Sequence, residues 1–365
     1  MTKKIKAIIA IGGTGGHVFP GYNLAIHLIQ KDYNVELVSD KRGYKYLKEF
    51  KDLNISILPS SPFKNNNIFK LIFSIATIFF SILRSLIFLI SHKPRIIFGM
   101  GGYASFPICI AASILKIKFV IYENNLILGK ANKFLLPFAK KILVSYNDLE
   151  GIPKKYQNKV FKIGNIIKKE IINYSKNNNI KIENKTLNIF VLGGSQAAKI
   201  FAEILPNIFK KCIDSGISLK IFQQCLPNQN DNLKFFYEKS NIDFEIFNFS
   251  KNLAKYFSKV NLGITRSGSS MLAELANANI PFIAVPLPTS ADNHQLKNAI
   301  YYKNKNFGYM LEEKDLNERL FYLIKDIYEN KSMLNKIVNN LKQYSDKDVY
   351  NNIDKMMKEL LNEKD

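Results

Sequence analysis

Ile11-Gly12-Gly13-Thr14-Gly15-Gly16-His17-Val18 ends the apolar run 5–11 and precedes a helical pattern over 20–30. A buried strand that turns through glycines into a helix is the opening unit of a doubly wound α/β sheet. Glycine lets backbone N–H groups approach a ligand that a Cβ would push away, and the helix start adds partial positive charge. The turn therefore suits a polyanion or a sugar. The same grammar returns at Phe98-Gly99-Met100-Gly101-Gly102-Tyr103 and at Val191-Leu192-Gly193-Gly194-Ser195-Gln196, so both halves of the chain carry it.

Around these turns, short runs rich in Ile, Val and Phe at 35–39, 55–58, 96–99, 119–123 and 141–145 alternate with longer helical patterns. After a polar stretch at 173–185 the alternation restarts at 187–192, 219–222, 244–247, 261–265 and 282–285. Such runs read as strands buried on both faces of parallel sheets. The expected fold class is α/β, with two Rossmann-like doubly wound domains at 1–163 and 164–342. The helical, charged tail at 343–365 can pack back on the first domain. A chain of 365 residues is long enough for two cores. Open sheets bind ligands beyond the carboxyl ends of their strands, and two such edges that face each other form a cleft.

The formal net charge is +22, and it is uneven. Residues 1–163 hold 24 Lys or Arg against 8 Asp or Glu, or +16; the remaining 28 and 22 give +6. The first half is the one drawn to an anionic surface. Nucleic acid is not the expected partner: the chain has no zinc-finger spacing, no arginine-rich block and no aromatic RNA-binding signature. Cys109, Cys212 and Cys225 are far apart, and they read as reduced core thiols of a cytoplasmic protein. The basic start Lys3-Lys4-Ile5-Lys6 lacks a small-residue cleavage site after its apolar run and reads as a first strand.

The segment 68–90 is almost wholly apolar, interrupted by Lys70, Arg84 and the helically spaced Ser74, Ser81 and Ser85. Its length would span a bilayer. Three readings compete: a true span, an ordinary buried crossover of the sheet, and the favoured one, a helix with one face on a membrane surface. Lys64, Lys70, Arg84, Lys93 and Arg95 flank or punctuate it as contacts for anionic lipid.

A dinucleotide site is the first rival for glycine turns, and Asp40 offers a ribose acceptor. The spacing fails, because Gly-x-Gly-x-x-Gly needs glycine where Val18 stands. No glycine loop ends in Lys-Ser or Lys-Thr, which excludes a P-loop. In the second half, Thr265-Arg266-Ser267-Gly268-Ser269-Ser270-Met271 leads from a strand into a helix that carries Glu274 two turns in. A carboxylate there can accept both hydroxyls of a ribose, and the Gly193-Gly194-Ser195 amides can hold a diphosphate. Asp292-Asn293-His294-Gln295 adds mixed donors and acceptors suited to a sugar.

In this order, the Gly-Gly-Thr-Gly-Gly-His, Gly-Met-Gly-Gly-Tyr, Tyr122-Glu123-Asn124-Asn125, Gly-Gly-Ser-Gln, Arg-Ser-Gly…Glu274 and Asp-x-His-Gln elements resemble the peptidoglycan N-acetylglucosaminyltransferase (MurG) family over essentially the whole chain. The resemblance implies two facing domains of the GT-B type and inverting transfer of N-acetylglucosamine from UDP-N-acetylglucosamine to the C4 hydroxyl of undecaprenyl-diphosphate-linked N-acetylmuramoyl-pentapeptide. It also implies work at the cytoplasmic face of the bacterial inner membrane, held there peripherally by an anionic surface. His17 is the base candidate, with Glu123 as alternative base or orienting residue. Thr14, Gly15, Gly16 and Asn125 are expected on the acceptor side. Lys168, Ser195, Ser250, Ser269, Ser270, Met271, Glu274, His294 and Gln295 are expected to contact substrate, chiefly the donor.

No cofactor and no catalytic metal are expected. The Asp-x-Asp at Asp346-Lys347-Asp348 sits in the charged tail, and amides at a helix start can stabilise a leaving diphosphate. The chain departs from the family where His-Glu-Gln-Asn is usual and Tyr122-Glu123-Asn124-Asn125 stands here. Ala197 replaces a glycine, Lys168 takes the place of an arginine after the linker, and Phe249-Ser250 stands where Phe-Ile meets uracil. A UDP-sugar 2-epimerase, another GT-B lipid glycosyltransferase and a non-catalytic membrane-surface protein are the rival functions.

Overall fold

The computed structural model describes residues 4–48, 50, 53–60, 68–174, 186–194, 199–248, 250 and 252–362, with side chains from 71 onward in the segment beginning at 68. The chain divides into two compact units, Met1–Ile166 with Asp348–Asp365, and Ile167–Lys347. The crossings lie a few residues beyond the expected 163/164 and 342/343. Residues 163–166 stay with the first sheet through backbone and side-chain hydrogen bonds described below.

The first unit is built on seven parallel strands: β1 (Lys6–Ile11), β2 (Asn34–Ser39), β3 (Asn54–Ile57), β4 (Ile96–Gly99), β5 (Phe119–Glu123), β6 (Lys141–Val144) and β7 (Val160–Lys162). Their spatial order is β3-β2-β1-β4-β5-β6-β7. Order reverses between β1 and β4, which makes the gap between them the topological switch point. The short strand β7, unforeseen in the sequence, forms the edge and is only partly buried. The crossovers are α1 (Gly15–Gln30), α2 (Lys41–Leu47), α3 (Ile68–His92), α4 (Gly102–Ile114) and α5 (Lys130–Leu135).

Helix α1 starts five residues before the expected position, and Pro20 lies inside it. A proline there has no N–H for the carbonyl four residues back. That carbonyl belongs to Gly16, and the Asn124 side chain donates to it at 3.0 Å. The hydrogen bond that Pro20 cannot make is thus replaced by one from a residue in the loop after β5.

The second unit repeats the plan with six parallel strands: β8 (Leu187–Leu192), β9 (Leu219–Gln224), β10 (Asp243–Phe247), β11 (Leu262–Arg266), β12 (Phe282–Val285) and β13 (Tyr309–Met310). Their order is β10-β9-β8-β11-β12-β13, so its switch point lies between β8 and β11. Its helices are α6 (Lys169–Tyr174), α7 (Lys199–Asp214), α8 (Asn230–Lys239), α9 (Ala254–Phe257), α10 (Ser269–Asn277), α11 (His294–Asn304), α12 (Leu316–Glu329) and α13 (Ser332–Leu341). Phe190, Phe201, Phe209, Phe222, Tyr237 and Phe282 fill its core. Cys109, Cys212 and Cys225 are buried and unpaired with one another. Burial raises the thiol of Cys225 to about 11.

The last helix, α14 (Val349–Asn362), returns to the first unit. Asp354 meets buried His27 at 2.7 Å and Lys31 at 3.1 Å, and the Tyr350 ring lies 4.6 Å from that of His27. Lys118 donates to the Leu360 carbonyl and Asn352 to that of Ile163. Just before α14, Asp346 exchanges two hydrogen bonds with Asn277 of α10, its carboxylate accepting and its amide donating.

Helix α3 turns its polarity outward-in. Ser74, Ser81 and Ser85 are buried, whereas Ile72, Phe73, Ile75, Phe79, Phe80, Leu83, Ile87 and Ile90 are exposed, Phe73 at 72% and Ile87 at 70%. The serines satisfy themselves locally: Ser81 donates to the Thr77 carbonyl and Ser85 to that of Ser81. Small side chains on that face permit close packing on α4. The alternative of an ordinary buried crossover is therefore overturned. Arg84 lies over the Phe80 ring at 4.8 Å. Lys64, and the side chain of Lys70, fall outside the described residues.

Candidate functional site

The loops after β1 and β4 flank the first switch point, and His17 joins them. It sits in the first turn of α1, and its Nδ1 lies 3.0 Å from the Met100 carbonyl. A carbonyl only accepts, so Nδ1 carries the proton, and in the neutral ring the basic lone pair is at Nε2. Gly101 and Gly102, at φ 90° and 71°, let the second loop close over the imidazole. A Cβ on Gly101 would fall 3.0 Å from that ring, and one on Gly102 would fall 3.2 Å from it. Thr14 forms the N-cap position but gives α1 no side-chain cap, and the first turn, with Gly15 and Gly16, holds no acidic residue. The positive helix end is thus left for a ligand.

Glu123 is buried at the end of β5 and held by four donors. The Asn125 backbone and side-chain amides reach Oε1 at 3.2 and 3.1 Å, and the Gly129 backbone and Asn132 side chain reach Oε2 at 2.9 and 3.0 Å. A carboxylate so occupied braces its loop. Asn125 is in this way fixed beside Asn124, which the Gly16 contact docks onto α1.

Asp40, the rival ribose acceptor, instead ties the glycine turn to α2. It accepts from the Gly13 and Gly43 amides at 3.0 and 2.7 Å and from Arg42 and Ser60. Burial opposes its charge, but the Gly43 and Gly13 amides and Arg42 outweigh that and hold its carboxyl below the ordinary range.

In the second unit, the loops after β8 and β11 flank the other switch point. Gly193 donates to the Gln224 side chain at 3.2 Å, and Gly194 has φ 74°. Ser195 lies outside the described residues. Gly268 is the N-cap of α10, whose first turn carries Ser269, Ser270 and Met271 and no acidic residue. Glu274 follows one turn later. Burial raises its carboxyl to about 7, against the lowering effect of the nearby Lys168 charge. The geometry thus brings Lys168 toward Glu274, and α6 packs on α10.

Beyond β12, Asp292 and Asn293 both take left-handed backbone angles, φ 50° and 53°, immediately before α11. Such conformations persist only where surroundings enforce them, commonly at binding loops. His294 Nδ1 donates to the Ala291 carbonyl at 2.7 Å, and the Gln295 side-chain oxygen Oε1 accepts from the Leu287 amide at 3.0 Å. Ser250 stands apart: it follows β10, the outermost strand, and its hydroxyl donates to the Asn252 carbonyl.

Three contributors were not among the expected site residues. Asn124 and the Met100 carbonyl position the loops of the first switch point, and Gln224 positions Gly193. Asn124 and Gln224 stand at carboxyl ends of strands in the sequence, which is a readable signal; a backbone carbonyl leaves none. Arg266 of the Arg-Ser-Gly element is buried, paired with Glu313, and donates to the Val285 and Pro286 carbonyls. Its work is to hold the end of β12.

Residues 7–144 match the glycosyltransferase family 28 N-terminal domain and 188–353 match the C-terminal domain of that family. A UDP-N-acetylglucosamine–N-acetylmuramyl-(pentapeptide) pyrophosphoryl-undecaprenol N-acetylglucosamine transferase of Pelagibacter ubique is 35% identical over the full length of both chains. The crystal structure of Acinetobacter baumannii MurG superposes with a TM-score of 0.77 at 22% identity, covering 97% of this chain and 99% of that one. A UDP-N-acetylglucosamine 2-epimerase structure reaches 0.64 at 11% identity, covering 97% and 96%. The fold is shared by both kinds of enzyme, and only the sequence likeness separates them. With both domain models and a full-length relative at this identity, the chain belongs to glycosyltransferase family 28 and, within it, to the peptidoglycan N-acetylglucosaminyltransferase (MurG) family.

Proposed function

We propose that the chain transfers N-acetylglucosamine from UDP-N-acetylglucosamine to the C4 hydroxyl of a polyprenyl-diphosphate-linked N-acetylmuramoyl-pentapeptide, with inversion. The observation that carries the reading is His17 held at the first switch point with its proton on Nδ1 against the Met100 carbonyl. In that state Nε2 accepts the proton of the attacking hydroxyl while the hydroxyl oxygen bonds to the anomeric carbon and the bond from that carbon to UDP breaks. Glu123 acts as the brace of Asn125 rather than as the base, since four donors already occupy it.

The second unit holds the donor. Glu274 accepts the ribose hydroxyls, and the loop that Gly193 anchors on Gln224 offers Gly194 and Ser195 to the diphosphate. The start of α10, with Ser269, Ser270 and Met271, and the cation of Lys168 complete the stabilisation of the leaving UDP. His294 and Gln295 meet the sugar, and Thr14, Gly15, Gly16 and Asn125 meet the acceptor. Ser250 has the weakest support, being two strands from the switch point.

The acceptor lies in lipid, and α3 supplies the means to reach it. Its outward Ile and Phe side chains form an apolar face next to Arg84, Lys93 and Arg95, on the unit that carries most of the positive charge. Within Leu71–His92 an 18-residue window has a mean hydropathy of 2.2. Its serine face packs on α4 and its ends lead into β3 and β4, which favours lying on an anionic membrane over crossing it.

The test is transfer itself. Incubated with UDP-N-acetylglucosamine, the protein should release UDP and glycosylate lipid only when the polyprenyl-linked acceptor is present. A sugar nucleotide converted without acceptor would favour the epimerase reading.

A further inference from the structure

Tyr122 is buried in β5, one residue before Glu123, and its hydroxyl is the centre of a directed chain of hydrogen bonds. The Ile166 amide donates to the Tyr122 oxygen at 3.1 Å. Ser145, also buried, donates its single proton to the Gly164 carbonyl at 3.3 Å, so Tyr122 donates in turn to the Ser145 oxygen at 2.9 Å. The relay begins on the backbone of residue 166 and ends on that of residue 164, closing a ring around Gly164-Asn165-Ile166. Gly164 has φ 98°, and its own amide reaches the Val144 carbonyl at 3.3 Å.

Immediately after Ile166 the chain enters the second unit. The Lys168 carbonyl accepts from the Ile171 and Ile172 amides, which makes Lys168 the start of α6, and α6 packs on α10, the helix of Ser269 to Glu274. On its other side Tyr122 belongs to the acceptor-side scaffold. Asn132 donates at once to the Tyr122 carbonyl at 2.9 Å and to Glu123, and a Cβ on Gly101 would stand 3.6 Å from that carbonyl.

We propose that Tyr122 and Ser145 are positioning residues for the transfer reaction: their hydroxyl relay fixes the backbone at 164–166, and through it the placement of Lys168 and α6 against the donor-binding helix. The proposal rests on the transferase reading above. It explains why a tyrosine is useful at this position, since a phenol is long enough to reach the linker backbone and offers one acceptor and one donor in line.

The experiment combines Tyr122→Phe, Ser145→Ala and Lys168→Ala in the full-length protein, with transfer rates and amide hydrogen exchange as readouts. Tyr122→Phe should lower kcat/KM for the donor about tenfold, the scale of a small misplacement of a site group. It should also speed exchange of the Ile166 amide. In the Lys168→Ala background the same change should cost less than about twofold, because the two residues act along one path. Ser145→Ala breaks only the last link and should show the same pattern more weakly, which keeps the test open if Tyr122→Phe fails to fold. Normal transfer by both variants despite faster Ile166 exchange would overturn the proposal, as would rate losses that multiply fully with Lys168→Ala. Absence of acceptor-dependent transfer in the unaltered protein would overturn the underlying reading and the proposal with it.

Discussion

The glycine turns of the two units look alike in sequence and differ in what their glycines face. On the acceptor side, Gly101 takes φ 90° and a Cβ there would press on the His17 ring, so glycine serves internal packing that aims a side chain. On the donor side, Gly268 has ordinary angles, φ −67° and ψ 133°, and no described atom lies within 4 Å of a Cβ placed on it. There glycine keeps the approach to the start of α10 open. One turn packs against the imidazole proposed as the base, and the other leaves its helix start uncovered by any described atom within 4 Å of that Cβ.

That contrast can be broken at several points. The largest effect is expected from His17→Ala, which should lower kcat by about 10² to 10⁴, the range of a general base; steady-state rates at saturating donor check this, and a near-normal kcat would move the role to solvent. Gly101→Ala should follow with a loss of about 10² in turnover, because the imidazole must shift. Gly268→Ala should behave oppositely: its angles accept alanine, so Tm should hold or rise slightly, while the donor KM rises about tenfold as the Cβ enters the ligand's space. Equal behaviour of the two alanine variants would erase the distinction between the turns.

Glu274 sharpens the donor side. Its carboxyl is raised to about 7 by burial, so the neutral form predominates below about pH 7 before ligand binds. Ribose hydroxyls donate to the ionised form, so UDP affinity should be full above about pH 7 and decline as pH falls through it. At pH 6 about a tenth of the carboxyl stays ionised, and the Kd for UDP should stand about tenfold above its value at pH 8. Glu274→Gln should flatten the profile; an unchanged slope would assign the titration elsewhere.

The smallest effect concerns the membrane. Replacing exposed Phe79 and Phe80 with Ser should weaken binding to anionic vesicles several-fold without changing turnover on a soluble acceptor, since apolar insertion adds to about 1 kcal/mol per basic contact. Resistance to both high salt and alkaline carbonate would instead indicate a spanning helix.

Much of this was legible in the sequence because strands buried on both faces read as continuous apolar runs, and glycine turns mark their carboxyl ends. The short edge strands β7 and β13 were not, since half-buried pairs of residues leave no run. Helix α1 was read late because Pro20 signals a break; the repair comes from Asn124, more than a hundred residues away. Glu123 shows the same limit. A carboxylate at a strand end reads as an alternative base or as an orienting group, and the four donors around it, which favour the second, leave no mark in the sequence. The two faces of α3 were visible as serine spacing, but which face met the protein depended on α4.

The central claim is that the two units divide the work, with proton transfer in the first and donor binding in the second. Calorimetric titration of UDP into His17→Ala and Glu274→Ala, side by side with the unaltered protein, tests it most directly. The account predicts that His17→Ala binds UDP within about twofold of normal and that Glu274→Ala binds it about ten- to a hundredfold more weakly, the cost of losing charged hydrogen bonds. Loss of UDP affinity in His17→Ala, or its retention in Glu274→Ala, would contradict it.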